Sequence, residues 1–361
     1  MLNNTEKAVL LINYCGFITL KKQHEIINNI QNLNNLITDL QSYKTELVNI
    51  INKQNYDKLE LLIESNSLQN FVANLEKTNI KVITILSDDY PELLKNTADA
   101  PTVLYCRGNV KLLNSTCVAI VGTRRVSRYG HDVTKQFSEE LSKAGLTIVS
   151  GLCDGVDTIA HTACVNTKGK TIAVIASGLN EIYPATNTNL ATNIVNGGGL
   201  IISEYKPNEK PKTFYFPNRN RIIAGLSKAV LITEAPLKSG SLYTKNYALE
   251  YGREVFAVPG RINDMYSAGC NKIIQNCQSA MALSPKTVLD FFGKNFVESK
   301  KDSVQLGLLD ELILSIIDVN EIHYEEILAK SQVDSKTLNT CLMRLELKGI
   351  IKKLSGNFYS K

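Results

Sequence analysis

The sequence predicts an α/β protein: a mostly parallel sheet with helices on both faces, preceded by a helical segment and followed by a helix-turn-helix unit. Three observations lead there. Short continuous apolar runs recur between residues 117 and 258 with helical patterns among them, as strands buried on both faces require. Residues 1–75 set Leu and Ile at three-to-four spacing among Asn, Lys and Gln. The end of the chain carries three helical patterns and then a Ser-Gly-Asn turn.

Taken in order, residues 25–30 and 59–63 read as pieces of short amphipathic helices and carry no chemistry. Residues 81–86 form a strand stopped by Asp88-Asp89-Tyr90-Pro91, and 102–106 form another. Strands follow at 117–121, 147–149, 171–176, 200–203, 229–233 and 254–258, with helices at 132–143, 158–166 and 241–251. A parallel sheet of this kind binds ligands beyond the carboxyl ends of its strands. Residues 295–305, rich in Lys, Asp and Ser, read as a linker. Helices at 308–317, 324–329 and 335–347, the last capped by Asp334 and stopped by Gly349, lead into a hairpin over 350–359. That pattern reads as a winged helix-turn-helix. The expected domains are a helical (SAM-like) domain at 1–78, the α/β domain at 79–295 and the winged helix at 305–361.

Composition narrows the class. The 361 residues carry a net charge of +5, divided unevenly: −3 over residues 1–100, +9 over 101–300 and −1 over 301–361. Eight of the nine arginines fall in the middle segment, beside Gly and Asn turns, so an anionic ligand is expected there. The alternative is that these arginines are ordinary solvated surface. The longest apolar stretches, such as 171–179, are far shorter than the roughly 20 residues of a membrane span, and the first residues lack a secretory pattern. The eight cysteines are scattered, with no C-x-x-C pair, which argues against zinc and for a reducing, cytoplasmic setting. Neither a metal nor a cofactor is expected.

Four segments carry candidate chemistry. The first strand runs into Gly122-Thr123-Arg124-Arg125, with Gly130 opening the next helix, so amides and guanidinium groups converge as an anion cradle. The dinucleotide pattern G-x-G-x-x-G is absent. The second strand ends in Ser150-Gly151, followed by Asp154-Gly155-Val156-Asp157 and, four residues on, His161. Asp157 and His161 share a helical face, as a general base with its partner or, the blander reading, as a helix-stabilising pair. Residues 210–227 interleave bases with Phe214, Tyr215 and Phe216 ahead of Arg219-Asn220-Arg221, a mixture in which bases track phosphates and aromatics stack nucleobases. Phe214 and Phe216 equally fit alternate core positions of a strand. Finally, Glu234-Ala235-Pro236-Leu237-Lys238-Ser239-Gly240-Ser241 joins a strand to a helix and presents hydroxyls and amides as a second phosphate seat.

Taken together, these segments, with Ile182-Tyr183-Pro184, Ser203-Glu204-Tyr205, Phe216-Pro217, Ile222-Ile223-Ala224-Gly225-Leu226-Ser227, Val258-Pro259-Gly260 and Gly269-Cys270-Asn271, resemble the bacterial DNA-processing protein A family, also called DprA or Smf. The resemblance covers residues 80–285, with the motifs in family order. It implies an extended Rossmann-like domain that binds single-stranded DNA, forms a homodimer and loads RecA onto incoming strands during natural transformation, with no catalytic residue. Gly122, Thr123 and Arg124 would hold a phosphate, and Lys212 to Phe214 would supply a charge and a stacking face. The full expected contact set adds Arg125, Ser150, Gly151, Arg219, Asn220, Arg221, Ser239, Gly240 and Ser241.

Two features depart from the family pattern. Thr213 separates Lys212 from Phe214, and the recognition helix balances Lys336, Arg344 and Lys348 with Asp334 and Glu346, which suits protein docking as well as DNA. Two rival functions remain in view. A Rossmann-like nucleotide phosphoribohydrolase would need paired acids near residues 239–244, where the chain reads Ser239-Gly240-Ser241-Leu242-Tyr243-Thr244. A winged-helix regulator would need a defined operator.

Overall fold

The computed structural model describes residues 2–294, 307–317, 321–347 and 349–360, in two units divided near residue 296. The expected linker at 295–305 and Lys348 lie outside the described residues.

The first unit is built on nine strands: β1 (Lys81–Thr84), β2 (Val103–Gly108), β3 (Cys117–Val121), β4 (Thr147–Ser150), β5 (Thr171–Val174), β6 (Leu200–Ser203), β7 (Ala229–Ile232), β8 (Glu254–Ala257) and β9 (Ala280–Met281). They lie in the order β1-β2-β6-β5-β4-β3-β7-β8-β9, parallel from β6 to β9, with β2 antiparallel to both β1 and β6. The order reverses beside β3, whose neighbours are β4 and β7, and such a switch opens a crevice at the carboxyl edge.

Strand periodicity explains how both faces are filled. On β3, Cys117, Ala119 and Val121 enter one core cluster while Val118 and Ile120 enter another on the opposite face. Five N-terminal helices, α1 (Asn4–Tyr14), α2 (Leu20–Asn29), α3 (Lys44–Ile51), α4 (Lys53–Glu64) and α5 (Ser67–Lys77), supply Leu10, Leu11, Ile26, Leu47, Leu59 and Leu68 to a third cluster. That cluster continues into the sheet through Val103, Tyr105, Ala173 and Ile201. The remaining helices of the unit are α6 (Glu92–Lys95), α7 (Arg128–Lys143), α8 (Val156–Asn166), α9 (Thr188–Asn196), α10 (Tyr215–Leu226), α11 (Ser241–Glu250), α12 (Ala268–Gln275) and α13 (Pro285–Phe291).

One segment differs from the expectation of alternating strand residues. Residues 215–226 are helical, so Phe214 precedes the helix with 59% of its surface exposed rather than entering a core. Pro217 explains the change, because proline is tolerated in a first helical turn but removes a donor from a strand ladder.

The second unit comprises α14 (Leu308–Ile316), β10 (Ile322–His323), α15 (Tyr324–Ser331), α16 (Ser335–Leu347), β11 (Lys352–Lys353) and β12 (Phe358–Ser360). Its sheet order is β10-β12-β11, around a core that includes Ile313, Ile327, Leu338 and Leu342. Asp310, buried, accepts from Arg344 and from the Cys341 thiol. Among the described residues no helix is long and apolar enough to cross a membrane.

Candidate nucleic-acid interface

A cleft of about 550 Å³ opens at the carboxyl ends of β3 and β7, where the strand order reverses. Two loops, 122–125 after β3 and 236–240 before α11, line it together with the first turns of α10 and α11, joined by Met265 and Tyr266. Its lining carries Arg124, Arg125, Arg219 and Lys238 against one acid, Asp157. The field at its mouth therefore favours anions.

The loop after β3 is short and held at both ends. The Thr123 amide donates to the Glu234 carbonyl (2.8 Å), and the Arg125 amide donates to Thr123 Oγ1 (3.1 Å). Gly122 is required by space: a Cβ there would meet Val156 Cγ2 at 2.5 Å and the Glu234 carbonyl at 2.7 Å. This anchoring leaves Arg124 and Arg125 exposed at the rim. The Arg124 guanidinium lies 4.9 Å from the Phe216 ring centroid, and Tyr183 meets Phe216 edge-on at 5.8 Å. A cation stacked on an aromatic keeps its outer face and its donors available to a ligand.

The second loop is held by its own hydroxyls. Ser239 Oγ and Ser241 Oγ lie 2.8 Å apart, the Ser241 amide donates to Ser239 Oγ (3.3 Å), and Gly240 faces open space. Asn220 donates to the Gly240 carbonyl (3.3 Å), tying α10 to this loop.

Other expected residues have different duties. The start of α7 is no open anion seat, because the Glu234 carboxylate already occupies it. Glu234 accepts from the Ser127 amide (2.8 Å) and from the Ser127 hydroxyl, and Ser127 caps the Gly130 amide (3.0 Å). A carboxylate at a helix N-terminus satisfies the dipole from within the protein. Ser150 is buried and donates to the Ile120 carbonyl (2.7 Å), behind the cleft. Arg221 is buried away from it, paired with Glu204 and donating to the Asp99 carbonyl (2.6 Å). Arg219 lines the cleft floor, yet its guanidinium donates to the carbonyls of Gly151 and Val174 and to Cys153 Sγ (3.5 Å). Gly151 makes room for it, since a Cβ would meet the guanidinium at 2.5 Å.

Nor do Asp157 and His161 pair. Asp157 accepts from the Cys153 amide (3.2 Å) and burial raises its pKa; His161 Nδ1 meets Thr171 Oγ1 (2.7 Å) and burial lowers its pKa to about 3. Each side chain finds a nearer partner off the helix, so the two do not form a pair along it.

Lys212 and Phe214 sit beside the cleft rather than in it. Lys212 donates to Glu209 (2.5 Å) and to the Tyr215 hydroxyl (3.1 Å), while Phe214 meets Tyr215 edge-on at 4.7 Å. Tyr215 stacks at 3.7 Å on Tyr205, which braces the exposed ring from below. Tyr243, in the first turn of α11, and Met265 and Tyr266, in the loop before α12, also line the cleft; as isolated residues they give no sequence signal of this placement.

A family model described as DNA recombination-mediator protein A matches residues 81–293, which span every cleft loop and the flanking aromatics. The chain belongs to this family. Its relatives include the DNA processing protein DprA of Bacillus subtilis, 40% identical over 63% of this chain and 78% of that protein, and the Smf protein of Escherichia coli, 41% identical over 62% and 60%. The crystal structure of DNA processing protein A from Streptococcus pneumoniae, 36% identical, covers 80% of this chain and 98% of its own with a TM-score of 0.66. The Helicobacter pylori DNA processing protein A, solved for its single-stranded DNA binding mode, is 33% identical over 59% and 95%, with a TM-score of 0.54. The mostly parallel α/β fold of the family is the fold seen here.

Proposed function

We propose that the chain binds single-stranded DNA in the β3–β7 cleft without catalysing a reaction on it, and that as a cytoplasmic homodimer it delivers the bound strand to RecA during DNA uptake. The observation that carries the binding step is the rim itself: Arg124 stacked on Phe216, with exposed Phe214 beside it. Guanidinium groups suit phosphates in any sequence, and exposed rings stack on any base, so the pairing favours unpaired strands over duplex. The contact set comprises Gly122, Thr123, Arg124, Arg125, Asn220, Ser239, Gly240 and Ser241 in the cleft, with Lys212 and Phe214 outside it. Ser150, Gly151, Arg219 and Arg221 support it from behind. The RecA and dimer steps rest on family membership. We further propose that 305–361 is a winged helix serving as a docking module, separate from the segments 1–78 and 79–295. In that unit Arg344 is committed to Asp310, which removes a cation from DNA contact.

Fluorescence anisotropy of labelled oligo-dT and of a matched duplex, across a salt series, tests the binding step. Tight, salt-sensitive binding that prefers the single strand and is lost in Arg124→Ala is expected. Equal affinity for duplex, or an unaffected variant, overturns it. RecA filament growth on protein-bound oligo-dT tests the delivery step, and no acceleration overturns that part.

A further inference from the structure

A second cavity, of about 270 Å³, opens on the same carboxyl edge of the sheet, where the loops after β5 and β6 meet α1 and α5. Aromatic rings form one wall: Tyr14 and Phe71 lie with centroids 4.7 Å apart, and Phe71 meets Tyr105 edge-on at 6.2 Å. Lys206 Nζ sits 4.3 Å from the Tyr14 centroid. The acid nearest in the lining, Glu209, is already engaged, accepting from Lys212 (2.5 Å) and the Tyr215 hydroxyl (3.0 Å). A second cation reaches the rim through Asn180, whose side chain accepts from Arg107 (2.7 Å) and donates to Asn208 (2.8 Å). Exposed Asn74 completes the opening with a free-standing amide.

A chain of side-chain contacts links the cavity to the cleft. Phe216 lines the cleft, Phe214 two residues earlier contacts Tyr215, and the Tyr215 hydroxyl holds Glu209 at the cavity wall. Cations outnumber acids along this route, with Lys206, Arg107 and Lys212 against Glu209. An ammonium beside aromatic rings and amide edges matches the phosphate, face and edge of one nucleotide.

We propose that this cavity is a second nucleotide subsite, in which Lys206 takes a backbone phosphate and the Tyr14–Phe71 wall with Asn74 takes the adjoining base of a strand leaving the cleft past Phe214. The inference rests on the single-strand reading above and extends it: the N-terminal helices become part of the DNA track, and the strand runs across the sheet edge from β7 towards β6.

The test titrates the full chain with oligo-dT of about 4 to about 20 nucleotides across a salt series, as wild type, Lys206→Gln and Asn74→Asp. Asn74 is exposed on α5, so its variant keeps the test open if Lys206→Gln disturbs folding. The shortest oligomers, which fill the cleft alone, are expected to bind all three proteins alike. For longer ones both variants lose on the order of tenfold in affinity, and Lys206→Gln lowers the salt slope by about 0.7. Equal affinities and slopes at every length overturn the subsite while leaving the cleft reading intact. A wild type without affinity at any length overturns the cleft reading and the subsite with it. Photo-cross-linking with 5-iodouracil oligomers gives an independent readout: adducts on Tyr14 or Phe71 are expected, and adducts confined to Phe214 and the cleft overturn the proposal.

Discussion

The Arg124 guanidinium stacks on Phe216 with 4.9 Å to the ring centroid, so a cation on the loop after β3 is held by an aromatic from α10, more than ninety residues on. The ring orients the charge without neutralising it. Phe216→Leu is therefore expected to weaken oligo-dT binding by about 0.5–1 kcal/mol while leaving the salt slope unchanged, because the phosphate contact itself survives. Anisotropy across a salt series checks this, and a flattened slope would mean that the ring does more than orient.

Phe214 is 59% exposed, so its removal separates binding from folding. Phe214→Ala should change stability by no more than about 0.5 kcal/mol and cost about 1–3 kcal/mol of single-strand affinity. A cooperative loss of structure in urea would refute this division.

Glu234 works inside the fold. Its carboxylate holds the Ser127 amide and hydroxyl at the start of α7 and lies against Gly130. Glu234→Ala is expected to destabilise the protein by about 1–3 kcal/mol, with Glu234→Gln losing less because one acceptor oxygen remains. Urea midpoints of the two variants provide the comparison.

Arg221 gives the opposite signature from Arg124. Arg221→Met leaves Glu204 largely buried without its cation, for which about 3–5 kcal/mol of destabilisation is expected. The fraction that remains folded should bind oligo-dT with unchanged affinity. A weaker, flatter-sloped complex would return Arg221 to the contact set.

His161 makes stability depend on pH. Burial lowers its folded pKa from 6.5 to about 3, so its neutral form is favoured in the fold and the unfolded chain binds the extra proton first. The contribution is complete above about pH 6.5 and is lost as pH falls towards 3, with a slope of at most about 1.4 kcal/mol per pH unit. His161→Gln should remove that component from urea unfolding measured between pH 7 and pH 4. An identical pH profile in the variant would assign the slope to other groups.

Much of this architecture is legible in the sequence, and the exceptions have physical causes. Strands such as 117–121 and 229–232 are short, wholly apolar and bounded by Gly or polar turns, so their burial is written locally. The loops at 122–125 and 239–241 are equally visible because a Gly beside hydroxyl residues, with cations close by, follows an apolar strand. Helix α10 is hidden by its own residues, since Tyr, Phe, Pro and Asn disguise a first helical turn as loop or strand. The duties of Arg219, Arg221 and Glu234 are hidden for a different reason: their partners lie far away in sequence, and charge alone does not tell an outward-facing arginine from one clamped to Gly151 or Glu204.

Tyr105, Ala173 and Ile201 share one core with Leu10, Leu11 and Leu59 of the N-terminal helices. Those helices are thus a wall of the sheet rather than cargo hung from it. A protease cutting near residue 79 would not liberate two tidy fragments, because each would carry half of an unfinished interior into water. Lineages that exchange the N-terminal segment must also rewrite the sheet residues beneath it, so that segment and β2, β5 and β6 should change together over evolutionary time.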